Sequence, residues 1–284
     1  MNSFKVFFLF LLMTLLLIGV GFLLGGRNGM MIAFCIAAAM NFISYWYSDK
    51  IILKMYRAKP VTEATHRRLY RIVSGATQKA MIPMPKVYII PTKAPNAFAT
   101  GRNENHAAVA ATEGLLEILN DSELEGVIGH ELAHIINKDM LIQTIAATMA
   151  GAITVLSSIA RWSLIFGGHS RSNDDNGGPL GMIVAMIIGP IAAMLIQMAI
   201  SRSREYKADA EGGRITGQHL ALASALKKLH RAPNRLNLDR RPNTAPLFIA
   251  NPLSGKGLAS LFSTHPPVEE RINRLQKQAM GGNG

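Results

Sequence analysis

Two imidazoles four positions apart with a carboxylate between them, His130-Glu131-Leu132-Ala133-His134, are the residues of this chain best arranged for chemistry. On a helix that spacing puts both rings on one face, about one turn apart, within reach of a single cation. This is the H-E-x-x-H pattern, in which two histidines bind zinc and the glutamate is the general base of a metalloprotease. The flanking residues predict the helix, over about 122–138. Asp121 or Ser122 can cap it, Ser122 and Glu125 have capping-box spacing, and Leu124, Val127, Ile128, Leu132, Ile135 and Ile136 recur at helical intervals.

A catalytic zinc needs a third protein ligand. The candidates lie in Ser203-Arg204-Glu205-Tyr206-Lys207-Ala208-Asp209, where Glu205 and Asp209 are again four apart. One can ligate the metal while the other accepts a hydrogen bond from a ligand imidazole. The competing interpretation is a solvated helical face on which Arg202, Arg204 and Lys207 offset the acids.

The chain has 284 residues, of which 49% are hydrophobic, and its formal net charge is +12. Four blocks of about 20 residues without Asp, Glu, Lys or Arg are long enough to span a bilayer. They run Val6–Gly26, Asn28–Ser48, Met140–Ala160 and Pro179–Ser201. The first reads as a retained anchor: its apolar core is too long for a signal peptide and no small-x-small cleavage site precedes Arg27. Lys50, Lys54, Arg57, Lys59, Arg67, Arg68 and Arg71 follow the second block, and Arg202, Arg204 and Lys207 follow the fourth. The positive-inside rule then sets both termini, and everything between the second and third blocks, in the cytoplasm.

The expected fold is a mainly α integral membrane protein with four transmembrane helices and a split α+β cytoplasmic domain. Residues 1–48 and 140–201 are the membrane hairpins, the second with a short periplasmic loop. Residues 49–139 and 202–284 are the two parts of the soluble domain. The third and fourth spans would return Glu205 beside His134, just outside the bilayer. A site within the membrane is disfavoured, because Asp121, Glu123, Glu125, Lys138 and Asp139 flank the motif.

Within the soluble part, Val61–Ala80 reads as an amphipathic helix. Lys86–Ile90, Ala97–Thr100 and Ala107–Ala111 read as strands of an antiparallel sheet. Asn96-Ala97-Phe98-Ala99 is the expected edge, able to bind an extended peptide through main-chain hydrogen bonds; an ordinary edge blunted by Pro95 fits the same residues. Further helices are expected at Gln218–His230 and Pro266–Met280. Between them, Ala232–Gly257 is long for a structureless loop and reads as a lid or substrate-binding segment. His66, His106, His169, His219 and His230 read as surface residues. Cys35, the sole cysteine, excludes an internal disulfide and a thiolate zinc site. The basic clusters adjoin the spans, which favours anionic lipid headgroups over nucleic acid as a partner.

Four stretches, in order, carry a resemblance over most of the chain. They are Pro95-Asn-Ala-Phe-Ala-Thr-Gly101, His130-Glu-Leu-Ala-His-Ile-Ile-Asn-Lys-Asp-Met140, Ser201-Arg-Ser-Arg-Glu-Tyr-Lys-Ala-Asp209 and His265-Pro-Pro267. With the four apolar blocks they resemble the HtpX family of bacterial membrane zinc metalloproteases, relatives of the CAAX prenyl proteases. The resemblance implies one zinc held by His130, His134 and Glu205, with Glu131 catalytic and Asp209 supporting. It also implies cleavage of misfolded or damaged membrane proteins, or of unfolded polypeptides, at the bacterial inner membrane. His265 becomes the candidate donor to the developing oxyanion, against the alternative of a helix-capping or core histidine. The rival function is a membrane scaffold or transporter with a structural zinc; such a site normally closes with four protein ligands.

Overall fold

The computed structural model describes residues 2–146, 149, 202–231 and 266–281. The expected third and fourth spans beyond residue 146, the 232–257 stretch, His169 and His265 lie outside them.

Helix α1 (Asn2–Met55) doubles back at Gly26, whose φ of +56° is a left-handed conformation that glycine adopts at no steric cost. Its arms run side by side. Asn41 Nδ2 donates to Thr14 Oγ1 at 2.9 Å, and Gly21 and Gly29 approach so closely that a Cβ on either would overlap the other's backbone. The second arm, Gly26–Met55, is long and apolar enough to cross a membrane, whereas Val6–Gly19 in the first arm is a shorter apolar helix. The second arm therefore continues past Ser48, the expected end of that span. Val6, Leu9 and Met13 of the first arm pack on Ile142, Ile145 and Met149, and residues 140–146 are helical.

The sheet contains β1 (Lys59–Pro60), β2 (Lys86–Ile90), β3 (Ala97–Gly101) and β4 (Ala107–Thr112) in the order β1-β2-β4-β3. It is mixed rather than antiparallel: β2 runs parallel to β4, with Lys86 opposite Ala108, while β3 pairs antiparallel to β4, with Ala97 opposite Ala111. Strand spacing fixes elements but not their partners, so the direction of β2 was not legible. Alternation divides the side chains between two cores. Val87, Ile89, Ala97, Ala99, Val109 and Ala111 face Leu69, Val73, Leu124, Ile128 and Leu132. Ile90, Phe98, Ala108 and Ala110 face Ile52 and Leu53 at the end of α1. The sheet is thus buried on both faces, which is why alanine dominates β4.

Helix α2 (Arg67–Ala80) is shorter than the expected Val61–Ala80. Val61 instead extends β1, its N–H bonding Val87 O at 2.8 Å, and a turn over Thr62–Thr65 precedes the helix. A short α3 (Glu113–Ile118) leads into α4 (Asp121–Ile136), the helix bearing the histidines. Its cap is Asn120, in a capping box with Glu123, rather than Asp121 or Ser122. Asn120 is as good a capping residue as either of those and lies one turn before a carboxylate, so the sequence held two overlapping solutions. Helices α5 (Arg202–Thr216), α6 (His219–Arg231) and α7 (Val268–Ala279) complete the described residues. Of the remaining histidines, His106 and His230 are exposed and His66 and His219 are half-buried.

Candidate metal centre

The site forms where α4 and α5 cross almost backbone to backbone. A Cβ on Gly212 would stand 2.5 Å from the His130 nitrogen, and one on Gly129 would stand 2.8 Å from Gly212 O. Only paired glycines permit so close an approach. About one and two turns before Gly212 on α5, Asp209 and Glu205 then face the histidines, and all four side chains are buried.

His130 Nε2 lies 3.7 Å from Glu205 Oε2, and His134 Nε2 lies 3.5 Å from Glu205 Oε1. Ligand atoms of the three residues fall within 4.8 Å of one another. Zinc bonds of about 2.0–2.1 Å in a tetrahedron place neighbouring ligand atoms about 3.3 Å apart, so each imidazole already stands near that spacing from a Glu205 oxygen, and any wider pair, up to the 4.8 Å bound, would close further around the ion. The far side of each ring meets another carboxylate. His130 Nδ1 is 2.9 Å from Asp209 Oδ1, and His134 Nδ1 is 3.6 Å from Asp139 Oδ2. Both Nε2 atoms are thereby turned inward, toward Glu205. Around the two rings stand Glu131, Asp139, Glu205 and Asp209, against Arg204 and Arg271. Four carboxylates and two guanidiniums leave an excess of two negative charges, which suits a divalent cation.

The electrostatics follow from burial. Burial pushes the Glu131 carboxyl above its ordinary pKa, against the opposing pull of His130, His134 and the Ala99 N–H. For His134 burial opposes protonation, but Asp139, Glu205 and Glu131 outweigh it and the ring's pKa is raised. For Asp209 burial is again the largest influence and works against the charged form. Arg271 and His130 overcome it and hold the carboxyl below its usual range.

Ala99 N–H donates to Glu131 Oε2 at 2.8 Å. Among the described residues β3 is one edge of the sheet, β1 being the other, and this bond ties it to the helix bearing the histidines. Asn96 is held inward by two bonds with Thr112, from its N–H to Thr112 Oγ1 and to its carbonyl from the Thr112 N–H, both 2.9 Å. In an antiparallel ladder alternate residues point outward, so the edge offers the main chain of Ala97 and the carbonyl of Ala99, whose N–H is taken by Glu131. Asn96, Ala97 and Phe98 themselves are buried, and Phe98 packs on Tyr56 with ring centroids 5.4 Å apart. A peptide at this edge would therefore meet backbone.

Three residues of the site were not found from the sequence. Arg271 is wholly buried on α7, its Nε and Nη2 each donating to Asp209 at 2.7 Å, with Nη1 3.9 Å from Glu205 Oε2. A signal existed: Arg271 stands three residues after Val268 and four before Leu275, on the apolar stripe of an otherwise polar helix. Asp139 and Arg204, 3.7 Å apart, form the corresponding pair behind His134. Asp139 is brought inward because Lys138 takes a left-handed φ of +57° just after α4, a turn that periodicity does not encode.

A family model described as "Peptidase family M48" matches residues 63–279, a range containing every residue of this centre. The chain belongs to peptidase family M48. Relatives named "Protease HtpX homolog" extend the match over nearly the whole chain. The one from Desulfatibacillum aliphaticivorans is 58% identical, over 96% of this chain and 89% of its own length. That of Desulforapulum autotrophicum is 55% identical over 100% and 92%, and that of Pyrococcus furiosus 56% over 94% and 93%. The crystal structure of S. mikatae Ste24p matches its fold with a TM-score of 0.50 at 19% identity, over 96% of this chain and 62% of that one. The M48 chain is a metalloprotease, a hydrolase of peptide bonds, and the scaffold alternative falls away.

Proposed function

We propose that the chain is a multi-pass, zinc-dependent endopeptidase of the cytoplasmic membrane, acting in quality control on misfolded or damaged membrane proteins. One zinc would be held by His130, His134 and Glu205, with Asp209 orienting His130. The observation that carries this reading is the convergence of both Nε2 atoms on the Glu205 carboxylate while both Nδ1 atoms face other acids. When bound, the ion supplies Lewis acidity, lowering the pKa of a water and polarising a carbonyl.

The remaining roles belong to the chain itself. Glu131 takes a proton from the attacking water and returns it to the leaving amine; a carboxyl whose pKa is raised by burial suits both steps. The outward main chain of β3 holds the substrate extended. His265 is proposed as the oxyanion donor, on the family resemblance alone. Four spans and the two-part soluble domain, with both termini and the site cytoplasmic, complete the reading. Its support is the apolar second arm of α1 and the cluster of lysines and arginines that follows it.

The test compares wild type with Glu131→Gln in detergent or bilayer. The variant is expected to keep near-stoichiometric zinc while hydrolysis of an unfolded protein falls by roughly the 10²–10⁴-fold typical of a lost general base. Unchanged turnover in the metal-loaded variant removes Glu131 from the mechanism.

A further inference from the structure

Near the end of its apolar stretch, α1 changes character along one exposed face. Phe42, Trp46, Lys50 and Lys54 follow one another at intervals of four, so they form a single row. All four are exposed, as are Tyr45 and Tyr47 beside them. The row passes from an apolar ring to an amphipathic one and then to two cations, the order met on leaving a bilayer through its interface. The Lys50 ammonium lies 5.2 Å from the Tyr47 ring centroid. A fifth side chain arrives from elsewhere in the fold: the Arg102 guanidinium covers the Trp46 ring at 4.6 Å. Arg102 directly follows β3, the strand whose Ala99 N–H holds Glu131.

Around this row the charge is one-sided, with Lys50, Lys54, Arg57, Lys59 and Arg102 against Asp49 and Glu104. Other cations of the domain have acidic partners: Arg68 pairs with Asp121, Lys79 with Glu125, Lys93 with Glu117 and Lys228 with Glu123. Among the described residues the side chains of Lys50 and Arg102 make neither hydrogen bonds nor ion pairs; each rests on an aromatic face and keeps its donors available.

We propose that this collar is a binding site for the phosphate of an anionic phospholipid. Arg102 and Lys50 supply the charge, and Trp46 and Tyr47 seat the glycerol–acyl boundary. The proposal rests on the reading of the second arm of α1 as a membrane span. Its consequence is mechanical: a headgroup on Arg102 fixes the end of the edge strand at the bilayer surface, where a polypeptide leaving the membrane arrives. Selectivity for anionic over zwitterionic lipid is electrostatic, about five-fold for each cation at the surface, and falls with added salt.

The test uses full-length Trp162→Phe protein, in which Trp46 is the remaining tryptophan, in phosphatidylcholine nanodiscs. Brominated acyl chains are expected to quench Trp46; absence of quenching overturns the span itself and the proposal with it. Energy transfer from Trp46 to dansyl-phosphatidylglycerol is then compared with transfer to dansyl-phosphatidylcholine. The anionic probe is expected to be enriched about five-fold or more at low salt. The combined Arg102→Gln and Lys50→Gln variant is expected to lose that preference while keeping bromolipid quenching and zinc content. Equal transfer to the two probes, or a preference that survives in the double variant, overturns the headgroup site and leaves the span standing.

Discussion

Each histidine of the centre is gripped from both sides, and the two grips differ. Asp209 approaches His130 Nδ1 to 2.9 Å and is itself locked by two 2.7 Å bonds from Arg271. Asp139 stands 3.6 Å from His134 Nδ1, beyond hydrogen-bond range, with Arg204 3.7 Å behind it. On the proposed ligand set, Asp209→Asn is expected to weaken zinc binding roughly 10–100-fold, the usual effect of losing a carboxylate behind a ligand histidine. Asp139→Asn is expected to cost less. Chelator competition measures both; an equal or larger loss at Asp139 would mean that His134, not His130, depends on its carboxylate. At this scale the sequence was most informative for residues whose spacing is their chemistry. His130, Glu131 and His134 could be recognised because a helix converts an interval of four into proximity. Asp139 could not, because its position depends on the left-handed turn at Lys138. Arg271 could be placed on an apolar stripe, but its partner lies 62 residues away, a pairing that local pattern does not carry.

Among the elements, the pairing of α4 with α5 decides whether Glu205 reaches the histidines. Gly212→Ala would force its Cβ against the backbone of Gly129 and His130; backbone yields less readily than a flexible side chain, and overpacking of this kind costs about 1–3 kcal/mol. The expected outcome is a folded protein with weakened zinc affinity, seen as metal loss at a chelator concentration that wild type resists. Retained affinity would show that the helix crossing tolerates separation. The start of α4 is held differently. Glu123 accepts from Lys228 and Ser224 at 2.7 Å and from the Asn120 N–H at 2.9 Å. Burial alone would raise its pKa, but these donors outweigh it and the carboxyl titrates below its ordinary value. A depressed carboxylate stabilises the fold above its unfolded pKa of about 4.3, and that contribution is lost as pH falls through the lower folded value. Glu123→Gln is therefore expected to speed amide exchange in the first turn of α4 at neutral pH, with the difference from wild type shrinking below about pH 4. A difference that persists undiminished in acid would assign the effect to packing rather than charge. Strand and helix positions here were largely legible from alternation and periodicity. The parallel direction of β2 and the choice of Asn120 as cap were not, since both depend on what the rest of the chain leaves available.

At the scale of the whole molecule, the sheet lies between α1 on one side and α2 and α4 on the other, so the catalytic domain shares a core with the helix that carries the apolar stretch. Ile52 and Leu53, just beyond Lys50, pack on Phe98 and Ile90. At 1.5 Å per residue, the helix from Trp46 to Ile52 covers about 9 Å, which keeps β3 within a headgroup layer of the proposed interface. On the proposed reading such a domain cannot swing away from the membrane without exposing that core, so the spans would fix the side on which it stands. On the proposed topology, the excess of Lys and Arg after the second and fourth apolar blocks would set that side in the cytoplasm. A membrane-impermeant thiol reagent applied to intact cells makes the test, with Cys35 replaced by serine and single cysteines introduced at four positions. Cysteines in place of Gly168 or Asn176, between the third and fourth expected spans, are expected to react from outside. Those in place of Asn103 or Gly281 are expected to react after the cells are opened. Labelling of Asn103→Cys in intact cells would put the metal centre on the outer face, and the surface-access argument for its substrates would fail with it.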